Sequence, residues 1–506
     1  MLRRSLPQFS DLRAFLSFLE ERNDLVAIDQ PVSMHLDVTE LQQRVLDADG
    51  PALMLNNPLL NNGQPSRIPV VVNLFGAIRR VAWGLGVEPE QLQDLGELLA
   101  FLRQPQPPSG LGDALKKWPV LKTALATRPG TKRKSPVNDV VHVGDAIDLT
   151  SLPIQSCWPG EPAPLITWPL VITRPPDVTD INAYNWGIYR MQVVDKQSTL
   201  MRWLAHRGGA AHHRQWLEKG EEMPVAVAIG ADPATILGGV TPVPETLSEA
   251  QFSGIYRGAS TALVEAQTVP LLVPASAEII LEGHVSLTDT LPEGPYGDHT
   301  GYYNSVEPFP IFKVSAITHR QDPVYLSTFT GRAPDEPSVL SAALNDVFLP
   351  LARQAFPEIV DCWLPPEASS YRIAVISINK TYPGQARRVM MGLWSMLPQF
   401  TYTKLIIAVD GHIDARDWSQ VMWAVATKSD PSRDLLQIDR TPVDYLDFAS
   451  PRESLGGKLG IDATDKIGSE TDREWGKELA MDVATKGRVD ALLADLGDEI
   501  AGKMFK

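Results

Sequence analysis

The chain has 506 residues, enough for about three domains and more than one sizeable core. Hydrophobic residues make up 44% and charged residues 21%, the balance of an ordinary globular protein. A net charge of −15 argues against a nucleic-acid binder, which needs a basic footprint, but leaves small anions open to local Arg, Lys and backbone N–H groups.

Only two cysteines occur, Cys157 and Cys362, and they form no CxxC pair. Neither a zinc knuckle nor a disulfide framework is expected, and the usage fits a reducing cytosol. Arg3 and Arg4 are followed by Pro7, Gln8, Ser10 and Asp11 rather than an apolar run, so no signal peptide is expected. No stretch of about 18 apolar residues predicts a spanning helix, so any membrane contact is expected to be peripheral.

In chain order, Ser10 is expected to cap a helix with Leu12, Phe15, Leu16 and Leu19 on one face. A second helix is expected from about Asp37 to Leu46, a buried strand at Val70–Val72, and further helices to about Leu125. The run from Arg128 to Pro136 mixes Pro, Gly and basic residues that break both helix and strand, and marks a boundary. Residues 1–127 thus read as a first α/β unit.

Residues 128–330 read as strand-rich, with Leu170–Thr173, Ile188–Val194, Val225–Ile229 and Phe312–Thr318 as strands. Short strands, turn signals and few helices predict a β-barrel or related closed sheet. From 331 to 470, strands at Ile373–Ile376 and Leu405–Val409 alternate with helices. One helix is expected at Ala386–Leu397, and another capped by Asp414 with Trp418, Val421, Met422 and Val425 on one face. That alternation predicts an α/β layer with parallel strands. In the tail, 471–506, Val489, Leu492, Leu493 and Leu496 form an apolar stripe. It reads either as a surface helix on its own chain or, the reading preferred here, as a helix that packs on a partner subunit.

Three stretches carry candidate chemistry. The first joins Asn185-Trp186-Gly187-Ile188-Tyr189-Arg190 to Met201-Arg202-Trp203-Leu204-Ala205-His206-Arg207-Gly208-Gly209. Its arginines and glycines are what a phosphate needs, since guanidinium binds phosphate through two N–H groups. A solvated basic loop is the alternative. The second, Gly230 to Val240, leads to Glu249 and matches no usual nucleotide loop, so alone it reads as a structural turn. The third, Glu293-Gly294-Pro295-Tyr296-Gly297-Asp298-His299, sets two carboxylates in a loop. Such a pair can hold one ionised acid and one proton donor, although alone it reads as a turn with solvated acids. His212 and His213 read as surface residues.

Together these stretches resemble the UbiD family of prenylated-flavin decarboxylases. Further matches are Gly50-Pro51-Ala52-Leu53, Asn73-Leu74-Phe75-Gly76, Cys157-Trp158-Pro159, Thr330-Gly331-Arg332, Arg388-Val389-Met390-Met391-Gly392 and the string from Asp444 to Pro451. The resemblance covers nearly the whole chain and is weakest over 470–506. It implies a mixed α/β fold: an N-terminal α/β domain, a central flavin-reductase-like split β-barrel and a C-terminal α/β domain with a terminal helix.

The resemblance also implies roles. Asn185, His206 and Glu249 would hold Mn²⁺, a hard-leaning ligand set, against the phosphate of prenylated FMN, with a monovalent cation such as K⁺ as a possible companion. Ile188, Tyr189, Arg190, Arg202, Trp203, Leu204, Arg207 and Gly208 would contact that flavin, and Lys404 would reach its phosphate. Arg190, Glu293 and Asp298 would form the catalytic network. Asp298 would be the proton donor, kept protonated by burial or by the like charge of Glu293, with Arg190 opposing.

Within the family the ubiquinone-biosynthesis branch matches best. Its reaction is non-oxidative decarboxylation of 3-polyprenyl-4-hydroxybenzoate to 2-polyprenylphenol. The implied partners are copies of the chain in a dimer or hexamer, other ubiquinone-pathway enzymes and the flavin prenyltransferase. The implied location is the cytoplasm, with peripheral attachment to the cell membrane. Alternatives are a family member acting on another aromatic or heteroaromatic acid, a flavin oxidoreductase on the same barrel, and a non-catalytic flavin-binding protein. An acid pair such as Glu293 and Asp298 speaks against the last two.

Overall fold

The computed structural model describes residues 6–103, 128–204, 207–241, 248–369, 371–396 and 398–504. The expected first helix spans Leu12–Glu21 and buries Leu12, Phe15, Leu16 and Leu19. Each such side chain, fully buried, contributes about 1.5–3 kcal/mol. The cap is Asp11 rather than Ser10: its carboxylate accepts the N–H of Ala14 at 3.0 Å. A helix follows at Asp37–Asp47, and Val70–Val72 is a fully buried strand.

The N-terminal sheet runs Leu25–Ile28, Ala52–Leu55, Val70–Val72 and Tyr325–Leu326. Its last strand arrives from beyond the central sheet and pairs in parallel with Val70 and Val71. The first and second layers are therefore stitched together by the returning chain. Helices at Ile78–Gly84 and Leu92–Arg103 follow, and the rest of the helical stretch expected to Leu125 lies outside the described residues. The run read as a structure-breaking linker contributes a short strand, Gly130–Thr131, paired with Ala262 and Leu263.

The central sheet has nine strands. Its main path runs Asn185–Ile188, Leu170–Thr173, Met223–Ile229, Ile279–Glu293, Glu307–His319, Ser198–Met201, Met191–Val193 and Leu165–Ile166. One expected strand, Ile188–Val194, is in fact two: Asn185–Ile188 and Met191–Val193. These stand at the first and seventh places of the path, yet only Tyr189 and Arg190 lie between them. Two intervening residues span at most roughly 10 Å. The sheet must therefore curl back on itself, which makes it a split β-barrel with Tyr189 and Arg190 at the split.

The middle segment holds more helix than expected. The stretch read as a turn at Gly230–Val240 contains the helix Pro233–Val240, capped by Asp232, and helices also form at Gly208–Lys219 and Glu249–Arg257. His212 and His213 lie on the half-buried side of the Gly208–Lys219 helix rather than free on the surface. His212 Nδ1 meets Thr173 Oγ1 at 2.9 Å, and burial lowers its imidazole to about 4.

A 20-residue helix, Glu336–Ala355, links the barrel to the C-terminal layer. The strands Ile373–Ile378, Leu405–Asp410 and Leu455–Ala463 are parallel there, as the alternating pattern predicts, and the edge strands Ile359–Trp363 and Leu435–Pro442 are antiparallel. The Trp418–Lys428 helix is capped by Asp417, not Asp414, and Met422 faces solvent while Ala424 is buried. The last helix spans Val483–Met504. Val489 is 46% and Leu492 56% exposed, so this part of the apolar stripe is not covered by its own chain. Both cysteines are buried and free, and no described helix is long and apolar enough to cross a membrane.

Candidate active site

The Glu293-to-Asp298 motif begins at the end of a long strand rather than wholly in a loop. Glu293 is the last residue of Ile279–Glu293 and is fully buried. Gly297 lets the following turn lie against Trp158: a Cβ there would sit 2.2 Å from the indole ring. Trp158 is fixed in turn by its Nε1–H donating to Thr330 O at 2.9 Å. Three separate sequence strings, around Trp158, Gly297 and Thr330, thus build one wall.

Arg190, turned inward at the barrel split, joins the two acids. Its Nε donates to Glu293 Oε1 at 2.9 Å, its Nη1 to Asp298 Oδ2 at 2.9 Å and its Nη2 to Asn304 Oδ1 at 2.7 Å. Arg202 Nη1 donates to the second oxygen of Glu293 at 2.7 Å. Glu293 is therefore clamped by two guanidiniums. Removing one partner of such a buried pair typically costs about 3–5 kcal/mol.

The arrangement corrects the expected proton placement. Asp298 was expected to be kept protonated by burial or by Glu293. Instead each acid has its own cation, with Arg190 between them. Burial raises the Asp298 carboxyl, but hydrogen bonds from His299 and the charge of Arg190 outweigh it and hold the group below the usual carboxylate range.

His299, which the motif contained without an assigned role, supplies the missing charge. Its Nδ1 lies 2.8 Å from Asp298 Oδ1, and its Nε2 lies 3.6 Å from Asp444 Oδ2, an ion-pair separation. Burial lowers the imidazole, but the two carboxylates raise it to about 9. Asp444 is itself held at about 2, burial being outweighed by His299, the Leu446 N–H and the Tyr371 hydroxyl. Tyr371 donates to Asp444 Oδ2 at 2.8 Å, and Arg372 Nη2 approaches the same oxygen at 3.3 Å. Asp444 and Tyr371 come from the C-terminal layer, so the cluster bridges two layers. Asp444 is legible in the sequence only as part of a matching string, because its contact with His299 joins segments far apart along the chain and is invisible to local pattern.

A second cluster gathers at the start of the Gly208–Lys219 helix. Among the described residues no side chain caps that N-terminus. A Cβ at Gly208 would lie 2.0 Å from Asn185 Oδ1, so the amide oxygen reaches the helix end only because glycine is there. Asn185 Nδ2 donates to Tyr189 OH at 3.2 Å, and Gly209 N donates to the same hydroxyl at 3.3 Å. Glu249 accepts the Trp186 N–H at 3.2 Å, which brings it beside Asn185. Burial pushes the Glu249 carboxyl up to about 7. Among the described residues no cation pairs with it. His206 lies outside the described residues. An amide oxygen, a half-buried carboxylate without a cation among the described residues and a helix N-terminus fit a hard divalent cation beside a phosphate.

The remaining expected cofactor residues surround these clusters. Trp203 packs edge-on to Tyr189, with ring centroids 6.3 Å apart, Leu204 is half-buried after it, and Ile188 packs against the barrel core. Arg207 lines an apolar cavity of about 220 Å³ together with Val240, Leu344, Phe348, Phe400 and Tyr371. Lys404 is placed against Asp447, Nζ to Oδ2 2.8 Å, so any approach to a phosphate would have to loosen that pair.

A split barrel flanked by two α/β layers, with an Arg–Glu–Asp–His cluster at the barrel's split, defines a small-molecule enzyme with a buried acid–base centre. Family models described as the N-terminal, Rift-related and C-terminal domains of 3-octaprenyl-4-hydroxybenzoate carboxy-lyase match residues 16–99, 130–333 and 338–463. The chain belongs to the UbiD family and is a decarboxylase of aromatic acids.

Solved structures agree in fold. The UbiD-class enzyme HmfF from Pelotomaculum thermopropionicum, in complex with FMN, is 26% identical with a TM-score of 0.78, over 94% of this chain and 98% of that one. An evolved dimeric form of HmfF in complex with prFMN is 25% identical with a TM-score of 0.76, over 94% and 98%. Vanillic acid decarboxylase of Sedimentibacter hydroxybenzoicus, in closed form, is 24% identical with a TM-score of 0.83, over 97% and 99%.

Proposed function

We propose that the chain decarboxylates a 3-polyprenyl-4-hydroxybenzoate to the 2-polyprenylphenol, using prenylated FMN and Mn²⁺. The observation that carries the reading is the position of the apolar cavity. Its wall residue Tyr371 is hydrogen-bonded to Asp444, which leads through His299 to Asp298 and Arg190. An apolar substituent on the aromatic ring would find Leu344, Leu349, Phe348, Leu364 and Phe400 there.

In this reading Asn185, His206 and Glu249 hold the cation, and Arg207 with the N-terminus at Gly208 holds the flavin phosphate. Ile188, Tyr189, Arg190, Arg202, Trp203 and Leu204 line the flavin. The prenylated flavin supplies the electron sink that no side chain provides. Arg190 orients the substrate carboxylate, Glu293 holds Arg190 and Arg202 in register, and Asp298 delivers a proton to the ring carbon. A tailed substrate implies weak, reversible contact with a membrane or delivery by a partner enzyme, since a net charge of −15 does not favour anionic lipid. The enzyme works as a homo-oligomer.

The test is turnover of 4-hydroxybenzoates bearing a long, a short and no prenyl chain. The long-chain acid is expected to be preferred. Preference for the unprenylated acid, or for a heteroaromatic acid, assigns the chain a different substrate in the same family.

A further inference from the structure

Decarboxylation of a carboxylate consumes one proton: CO₂ leaves, and its bonding electrons take up H⁺ to form the new C–H bond. The geometry points to His299 as the residue that holds this proton at rest and passes it to the substrate carbon through Asp298, with Asp444 positioning the imidazole from the C-terminal layer. The inference rests on the decarboxylase reading and deepens it.

Asp298 cannot be the resting store. One of its oxygens faces Arg190 and the other faces His299, so its surroundings select the anion. His299 lies between two carboxylates and, among the described residues, is the only group in hydrogen-bond contact with Asp298 that can give up a proton near neutral pH. Guanidinium stays protonated. The charged and titratable groups facing the imidazole are Asp298 from its own loop, Asp444 and Tyr371 from the C-terminal layer, and Asp335 ahead of the linking helix. The three carboxylates favour imidazolium, while the guanidiniums of Arg190 on Asp298 and Arg372 on Asp444 share those carboxylates and oppose it. The raised imidazole value, about 9, agrees.

The transfer balances. The His299 Nδ1–H bond breaks as the Asp298 Oδ1–H bond forms. That O–H bond then breaks as the C–H bond forms, using the electron pair left by CO₂. The first transfer is uphill at rest, which keeps Asp298 from idling in its protonated form. The carbon left by CO₂ is far more basic than a carboxylate and draws the proton through. Nε2 keeps its proton throughout, buried at the layer seam beside Asp444, and the emptied Nδ1 is refilled by a solvent proton that enters the vacated substrate site and returns through Asp298, the reverse of the delivery path.

Two measurements test this on the full-length protein. Histidine-selective ¹⁵N NMR, with His299 assigned by its loss in His299→Asn, is expected to show an imidazole titrating near 9 that shifts down by at least one pH unit in Asp444→Asn. Cofactor-loaded enzyme is expected to lose roughly 10²-fold in kcat in His299→Asn, with KM little changed. Asp444→Asn, which keeps the side-chain shape, should move the alkaline limb of kcat to lower pH by the shift seen in NMR. A neutral His299 at pH 7, or wild-type kcat and alkaline limb in both His299→Asn and His299→Gln, overturns the proposal. Wild-type protein that releases no CO₂ from any aromatic acid counts instead against the decarboxylase reading, and the NMR titration then still decides whether His299 holds the proton.

Discussion

Arg202 of the barrel donates from Nη2 to the hydroxyl of Tyr445 in the C-terminal layer, 2.6 Å away, while its Nη1 holds Glu293. One side chain therefore ties Glu293 to the neighbouring layer. Tyr445→Phe keeps the ring over Arg202 but removes the acceptor. A hydrogen bond to a charged group is worth about 1.5–3 kcal/mol, so kcat/KM is expected to fall roughly tenfold or more. Steady-state kinetics check this, and an unchanged kcat/KM would show that the layer contact does not reach the reaction.

Asp298→Asn should abolish most turnover while leaving cofactor bound. Loss of a general acid alone costs roughly 10²–10⁴-fold. Asp298 touches Arg190 and His299, not the Asn185–Glu249 cluster, so flavin absorbance should stay at the wild-type level. Decarboxylation near the wild-type rate would remove Asp298 from the mechanism.

Glu249→Ala and His206→Ala are expected to lose metal and flavin in parallel. Glu249 is half-buried and has no cation partner among the described residues, so an ion bridging it to a phosphate would make each hold the other. Metal analysis and flavin absorbance on the same preparation decide it. Full flavin occupancy without metal would refute the bridge.

The pH dependence of stability follows from His299. Its folded value is raised from 6.5 to about 9, so the folded state binds this proton more tightly than the unfolded chain. The stabilisation is complete below about pH 6.5 and is lost as pH rises through about 9. Asp444, lowered from 3.8 to about 2, works in the opposite sense: its share is present above 3.8 and is lost as pH falls through about 2. Calorimetry should show Tm falling across the alkaline window in wild type and a flatter profile in His299→Asn. Identical slopes would mean the imidazole is not protonated in the fold.

A chain ending near Gly487 removes most of the Val483–Met504 helix, on which Val489 and Leu492 are exposed. Light scattering is expected to report a smaller assembly than the full chain forms. An unchanged assembly would clear the tail of a subunit contact.

Local elements whose signal lies within one turn or one strand can be read from the chain alone. The Leu12–Leu19 stripe, the Val70–Val72 strand and the alternating C-terminal strands and helices were legible because burial follows a period of 3.6 or 2. Linear strings also carried the family and the residues Arg190, Glu293 and Asp298. Whatever depends on distant chain segments meeting becomes visible only once the chain is folded. Ile188–Val194 reads as one strand, but the curl of the sheet breaks it at Tyr189 and Arg190, and that break aims Arg190 at both acids. The protonation of Asp298 could not be read from an E-x4-D spacing, because it is set by the electrostatic field of neighbours. Those neighbours are Arg190, His299 and, through His299, Asp444, which folding brings from three separate places in the chain.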